Sequence, residues 1–195
     1  MSLVKSFLAA PLLVIAFAGT ASAQTASFKC PVNGTQFTYK SAAFDKINTA
    51  TGQDGNVCLF ASTSNGKAEA LRVHWGLVGS VDAQGESFAG GLDLKALWPL
   101  KVGNTFTSTV NVVGRDGKSY TSTVTMTVAA YEKVTVPAGT FDAFRVEETK
   151  AGSAHRNVHW WVPALAASVK DSFPDWRDLN KTIVLELTSV KAAAR

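Results

Sequence analysis

Charge and cysteine are both scarce in this chain. Asp, Glu, Lys and Arg make up 17% of its 195 residues, where an ordinary soluble domain carries about 25%. The 19 basic residues barely exceed the 15 acidic ones, and no two Lys or Arg residues are adjacent. A nucleic-acid binder would gather them on a stripe or an arm, so that class has no support. Two cysteines and three histidines leave little for a metal centre. There is no C-x-x-C, no Cys beside a His and no H-E-x-x-H, the spacings that put several ligands around one ion. A P-loop and a G-x-S-x-G nucleophile elbow are missing as well, so neither a catalytic centre nor a cofactor is expected. Beyond the N-terminus no apolar run approaches the ~20 residues of a membrane-spanning helix.

What the chain has first is an export signal. Lys5 supplies the positive start, Phe7 to Ala18 an apolar stretch interrupted only by Pro11, and Ala21-Ser22-Ala23 a small-x-small cleavage site. Residues 1–23 are therefore expected to be removed, leaving 195 − 23 = 172 residues from Gln24 onward, the size of one domain. No cysteine follows the cleavage site; the first, Cys30, lies in Ser27-Phe28-Lys29-Cys30, which is no lipid-attachment context. The expected address is periplasmic or secreted, without a lipid anchor. In such an oxidising compartment Cys30 and Cys58 most simply form one disulfide.

Past the signal, short β segments alternate with turn residues. Strands are expected over 34–39, 57–63, 70–78, 104–113, 119–130, 131–136, 141–149, 157–162 and 182–190. Asn65-Gly66 suits a tight hairpin because both residues tolerate positive φ. Val124, Met126 and Val128 alternate with Thr123, Thr125 and Thr127, one buried face and one wet face of an antiparallel sheet. Residues 83–96 read as a long Gly-rich loop, and only 42–47 and 175–179 look weakly helical. The expected class is mostly β with little helix: about 8–10 antiparallel strands in a sandwich or a partly open, curved barrel, one domain over 24–195.

Three stretches carry a resemblance. They are Trp98-Pro99-Leu100-Lys101-Val102-Gly103-Asn104-Thr105-Phe106, then Tyr131 to Glu147 with Thr135-Val136-Pro137-Ala138-Gly139-Thr140-Phe141 at its centre, then Trp160-Trp161-Val162-Pro163-Ala164-Leu165-Ala166-Ala167-Ser168-Val169-Lys170. In that order, over roughly residues 95–190, the chain resembles the TapB-like family of exported bacterial β proteins, whose molecular function is largely unassigned. The resemblance implies a fold and an address rather than a chemistry. Ala166 stands where the family typically has Gly, which argues against a left-handed turn there.

The residues themselves read mostly as scaffold. Pro137 fixes φ at the second position of a β-turn and Gly139 closes it. Counting outward from Pro137 and Thr140 pairs Val136 with Phe141, Val134 with Ala143 and Glu132 with Arg145. Glu132 shares the face of Val134 and Val136, so a charge opposite it is what that position needs. On one strand His155 and His159 would lie about 13 Å apart at ~3.3 Å per residue, too far for one metal ion. His74, beside Trp75, reads as a satisfied sheet residue.

The aromatics are the functional lead. Trp75, Trp98, Trp160, Trp161 and Trp176 are many indoles for one domain, and adjacent Trp160 and Trp161 must face opposite sides of a strand. Trp160, Trp161, Trp98 and Trp75 are the candidate ligand-binding residues. The expected function is non-catalytic binding of an apolar or amphipathic, lipid-like envelope ligand on a curved sheet. A module that docks an envelope protein is the alternative, and a hydrolase a distant third.

Overall fold

The computed structural model describes residues 24–81, 87–89, 93–113, 118–175 and 177–193; the export signal and Trp176 lie outside them. The chain begins with β1 (Thr25–Ala26), β2 (Gln36–Lys40), β3 (Asp45–Asp54), β4 (Val57–Ser64), β5 (Lys67–His74), β6 (Val78–Val81) and β7 (Ser87–Ala89). A single 3-10 turn, Leu94–Leu97, precedes β8 (Leu100–Lys101), β9 (Thr105–Val113) and β10 (Ser119–Val136). The rest is β11 (Gly139–Lys150), β12 (Arg156–Val162), β13 (Ala167–Asp175) and β14 (Asp178–Lys191). The class is mostly β, as the patterning implies.

Twelve strands form one antiparallel sheet in the order β6-β5-β4-β3-β2-β14-β13-β12-β11-β10-β9-β7. It curls until β6 and β7, its two edges, touch without pairing, so it is a curved open sheet rather than a closed barrel. β1 and β8 make a separate two-stranded ribbon.

Local chemistry explains much of this. Asn65 and Gly66 both take positive φ, 47° and 80°, and join β4 to β5 in a two-residue hairpin whose twist matches the strands. Val124, Met126 and Val128 are fully buried. Their alternate neighbours Thr123, Thr125 and Thr127 meet Thr109, Thr107 and Thr105 across β9, with hydroxyl oxygens 3.1, 3.0 and 3.3 Å apart. The Cys30–Cys58 disulfide is formed, with Cα atoms 5.4 Å apart. It ties the segment after β1 to β4 across a loop of 29 residues (30 to 58). Replacing both cysteines with Ser should cost about 3–4 kcal/mol through the entropy regained by the unfolded chain. Urea unfolding measures it, and a loss under about 1 kcal/mol would show that this loop-closure account does not hold here.

The β10–β11 hairpin departs from the expected pairing. Val136 pairs with Gly139 and Glu132 with Ala143, while Arg145 lies opposite Ala130. The turn uses only Pro137 and Ala138, two residues fewer than counted outward from Pro137 and Thr140, so every partner moves by two. A two-residue shift keeps each side chain on its face, and Glu132 still meets Arg145 diagonally, Nε to Oε1 at 3.3 Å.

A bulge between Val128 and Ala130 has a larger consequence. It changes which face of the hairpin is buried. Val128, Phe144 and Val146 belong to one core cluster with Trp161 and Leu97. Beyond the bulge Val134, Val136 and Ala143 pack into a second cluster with Phe37, Val169 and Leu187. There Ala138 N–H donates to the Leu187 carbonyl at 3.0 Å, fastening the hairpin tip to β14. One 18-residue strand thus serves both cores.

Other expectations are corrected. Fourteen strands occur among the described residues, because the sequence pattern hid several short or polar ones. Residues 42–47 are not helical. The Ser41 hydroxyl accepts from the Ala43 and Phe44 N–H groups at 3.1 and 3.0 Å, making a turn that opens β3. The segment 70–78 is interrupted at Trp75 and Gly76 by a tight turn, Leu77 N–H to His74 O at 3.1 Å. Within 83–96, Ser87–Ala89 pair with β9 and Leu94–Leu97 form the 3-10 turn. The expected helix at 175–179 is instead the end of β13 and the start of β14. Ala166 does adopt a left-handed φ of 53°; the Val162 carbonyl accepts from both Leu165 and Ala166 N–H, and the Ala166 side chain is buried.

Candidate functional site

Trp160 and Trp161 lie on β12 and part company, as adjacent strand residues must. Trp161 pairs with Phe144 and is fully buried in the first core. Trp160 pairs with Arg145 and Lys170 on the opposite face. It is half-buried, its Nε1–H donates to Glu132 Oε1 at 2.8 Å, and the Lys170 ammonium lies 5.7 Å from its ring centre. Glu132 therefore has two partners there, Trp160 and Arg145. Arg145 also pairs with Glu147, which in turn takes Arg156 at 3.2 Å. This is a structural ionic row at the margin of the second core, against which Trp160 packs.

Trp161 instead meets the other two candidates. Its ring centre is 5.1 Å from that of Trp98 in an edge contact, and Phe28 bridges Trp98 and Trp75 at 5.5 and 5.3 Å. Phe28 lies between β1 and Cys30, so the ribbon and the disulfide hold it against the indoles. Trp75 takes φ 53° and Gly76 φ 70°. A left-handed conformation costs an aromatic L-residue about 1–2 kcal/mol, a strain that surrounding packing must offset. The indole nitrogens of Trp75, Trp98 and Trp161 are all buried with no hydrogen-bond partner among the described residues. Each such orphan donor costs about 1–3 kcal/mol, and three in one cluster are unusual.

A cavity of about 140 Å³ opens beside this cluster, between the β2–β6 half of the sheet and β13–β14. Phe60, Leu71, Val73, Leu77 and Leu185 form its apolar wall, and Gly76 lies at the Trp161 side. A Cβ on Gly76 would sit 3.0 Å from Trp161 Nε1, and its φ of 70° adds a second reason for glycine at this position.

The polar lining is already paired. Lys46 meets Glu69 at 3.5 Å, and Asn48 accepts from the Ser62 hydroxyl at 2.8 Å. The Tyr39 hydroxyl donates to the Ser168 carbonyl at 2.9 Å; burial, and then the Asp171 charge, raise its pKa well above the tyrosine range. Asp171, also in the lining, accepts from His159 Nδ1 at 2.8 Å, and His159 Nε2 faces Glu148 Oε2 at 3.9 Å. Burial opposes the charge on His159, but the two carboxylates outweigh it and raise its pKa to about 10. Burial likewise opposes the charge on Glu148, yet the imidazolium holds its pKa below the usual range. His159 is thus an inward-facing cation between two carboxylates. His155 is exposed before β12 and joins no such group. His74, paired with Val57 and Val78, has its pKa lowered by burial and then by the Arg72 charge.

Sequence reasoning found three of the four gathered aromatics but missed Phe28, the cavity wall and the His159 cluster. Phe28 had one local signal, its place two residues before a disulfide-bonded cysteine. The partners of His159 had none, because they come from two other strands.

No family model matches the chain, and no curated protein does. Among solved structures it is similar in fold to the hypothetical lipoprotein YmcC from Escherichia coli K12, with 13% identity, a TM-score of 0.52, and 83% of this chain and 85% of that one covered. It also aligns with a Bacteroides fragilis protein described as exported with a YmcC-like fold, at 12% identity and TM-score 0.45, covering 85% and 99% of the two chains. A Parabacteroides distasonis protein described as a lipoprotein gives 12% identity, TM-score 0.43, and coverage of 86% and 100%. The first likeness establishes the fold; identity this low establishes nothing further.

Proposed function

We propose that this is an exported, non-catalytic binding protein of the cell envelope that holds an apolar or amphipathic ligand inside its curved sheet. The observation that carries this is the cavity walled by Phe60, Leu71, Val73, Leu77 and Leu185 beside the indole cluster. Its volume of about 140 Å³ resembles a 150 Å³ apolar cavity known to stay dry and take up benzene. Export is supported by the N-terminal signal pattern and by the Cys30–Cys58 bridge, which belongs to an oxidising compartment. The three stretches around Trp98, Pro137 and Trp161 support membership of the TapB-like family. A non-catalytic role is supported by His159: its second nitrogen faces a carboxylate, not a hydroxyl or thiol that it could activate.

Native mass spectrometry of protein purified from its own host tests the reading. A small bound mass is expected on the unaltered protein and should be missing from Val73→Phe, which fills the cavity. The same adduct on both proteins, or none on either, would overturn it. A polypeptide adduct would establish the interaction module instead.

A further inference from the structure

Pairing satisfies the polar groups around the cavity one by one, but their charges do not cancel. Lys46 has its counter-charge in Glu69 at 3.5 Å. His159 is a single cation set between two carboxylates, Asp171 at 2.8 Å and Glu148 at 3.9 Å. Three carboxylates therefore stand against two cations, and loss of the imidazole proton would only deepen the excess. Glu148 is buried, and neither it nor His159 reaches the cavity wall; Asp171 does. The negative excess is thus presented to a ligand by Asp171.

The groups beside it are acceptors. A carboxylate has about four lone-pair sites on its two oxygens, and the bond to His159 Nδ1 takes one of those on Asp171. The Tyr39 hydroxyl lines the same cavity and gives its proton to the Ser168 carbonyl at 2.9 Å, so toward a ligand it can only accept. Burial first, and the Asp171 charge second, hold that phenolic proton in place. The rest of the wall, including Leu71, Val73 and Leu185, is apolar. A carboxylate entering here would lose its hydration beside an existing negative excess. An ammonium would replace its lost water with charge-assisted bonds.

We propose that the ligand is a small amphipathic amine, its ammonium donating to the Asp171 carboxylate and the Tyr39 hydroxyl oxygen and its alkyl part lying against Leu71, Val73 and Leu185. This rests on the cavity being a binding site. It narrows the ligand class, because a neutral alcohol would leave the excess charge unanswered and a fatty-acid anion would add to it.

The experiment titrates the full mature protein, labelled with ¹⁵N, with butylammonium chloride, butanol and sodium butanoate at neutral pH. The three probes share an alkyl chain and differ in charge, and amide shifts report their affinities. Butylammonium should bind at least about tenfold tighter than butanol, the worth of one charge-assisted bond, and butanoate should bind weakest. Asp171→Asn should bring butylammonium down to the affinity of butanol and leave butanol binding unchanged. Val73→Phe, which fills the cavity, should abolish binding of both. The ranking on unaltered protein, and its loss in Val73→Phe, decide the matter even if Asp171→Asn does not fold. Equal binding of butylammonium and butanol would overturn the amine assignment and leave the cavity reading intact. Tightest binding of butanoate would overturn it too, by showing that Lys46 rather than Asp171 governs recognition. So would a preference for butylammonium that survives in folded Asp171→Asn or in Val73→Phe, since the cation would then be held elsewhere. No binding of any of the three would remove the cavity reading itself.

Discussion

Trp161→Ala should lower stability by about 3–5 kcal/mol, the range for truncating a fully buried aromatic. Trp160→Ala should cost less, about 1–2 kcal/mol, from one hydrogen bond, a partly exposed cation contact and the packing of its half-buried ring on the second core. The asymmetry follows from position alone. Trp161 has no exposed surface and supports Trp98, Phe144 and the Gly76 turn. Trp160 is only half-buried, at the margin of the second core, with Glu132 and Lys170 at its polar side. Urea unfolding of the two variants, compared at equal slope, measures this. Equal losses would mean that the two faces of β12 are not energetically distinct as described.

The second large effect belongs to His159. His159→Ala leaves Asp171 and Glu148 facing each other with no cation between them, and removing one member of a buried ionic group costs about 3–5 kcal/mol. The pH dependence gives the signature. The folded pKa of His159 is raised to about 10, so its contribution is fully present below the unfolded value of roughly 6.5. It is lost progressively as pH rises from there through 10. Glu148, with its pKa lowered, contributes above the ordinary carboxylate range and loses that contribution as pH falls through its folded pKa. The cluster is therefore at full strength between about pH 4.5 and 6.5. Unfolding free energies measured from pH 6 to 10 should fall in the unaltered protein and stay nearly flat in His159→Ala over the same interval. Parallel curves would show that the imidazole is not coupled to the two carboxylates.

Much of the architecture was legible where one residue's neighbours suffice. Thr123 to Val128 announces a strand with one dry face by its alternation, and Asn65-Gly66 announces a hairpin by its tolerance of positive φ. Two cysteines in a chain with an export signal announce their bond. β3 was not legible, for a physical reason. Its inward positions are Lys46, Asn48 and Ala50, so the period-2 signal of apolar burial is absent even though the strand is paired on both sides. The candidate site was half legible. The unusual density of indoles marked Trp75, Trp98 and Trp161, and placed Trp160 with them although it lies across the sheet.

The sequence by itself determined the β class, the Asn65-Gly66 hairpin turn, the disulfide and the separation of Trp160 from Trp161, because each depends on the backbone preferences or side-chain alternation of a few residues. The tertiary structure alone decided the hairpin register, the exchange of buried face at the Val128–Ala130 bulge, the meeting of Phe28 with Trp75 and Trp98, and the enclosure of His159 by Asp171 and Glu148. A bulge adds one residue to one strand without leaving a distinctive composition. The curl of a twelve-stranded sheet joins residues more than a hundred positions apart, as Tyr39 and Ser168 are. No local pattern contains that curvature, since it arises from the summed twist of every strand pair.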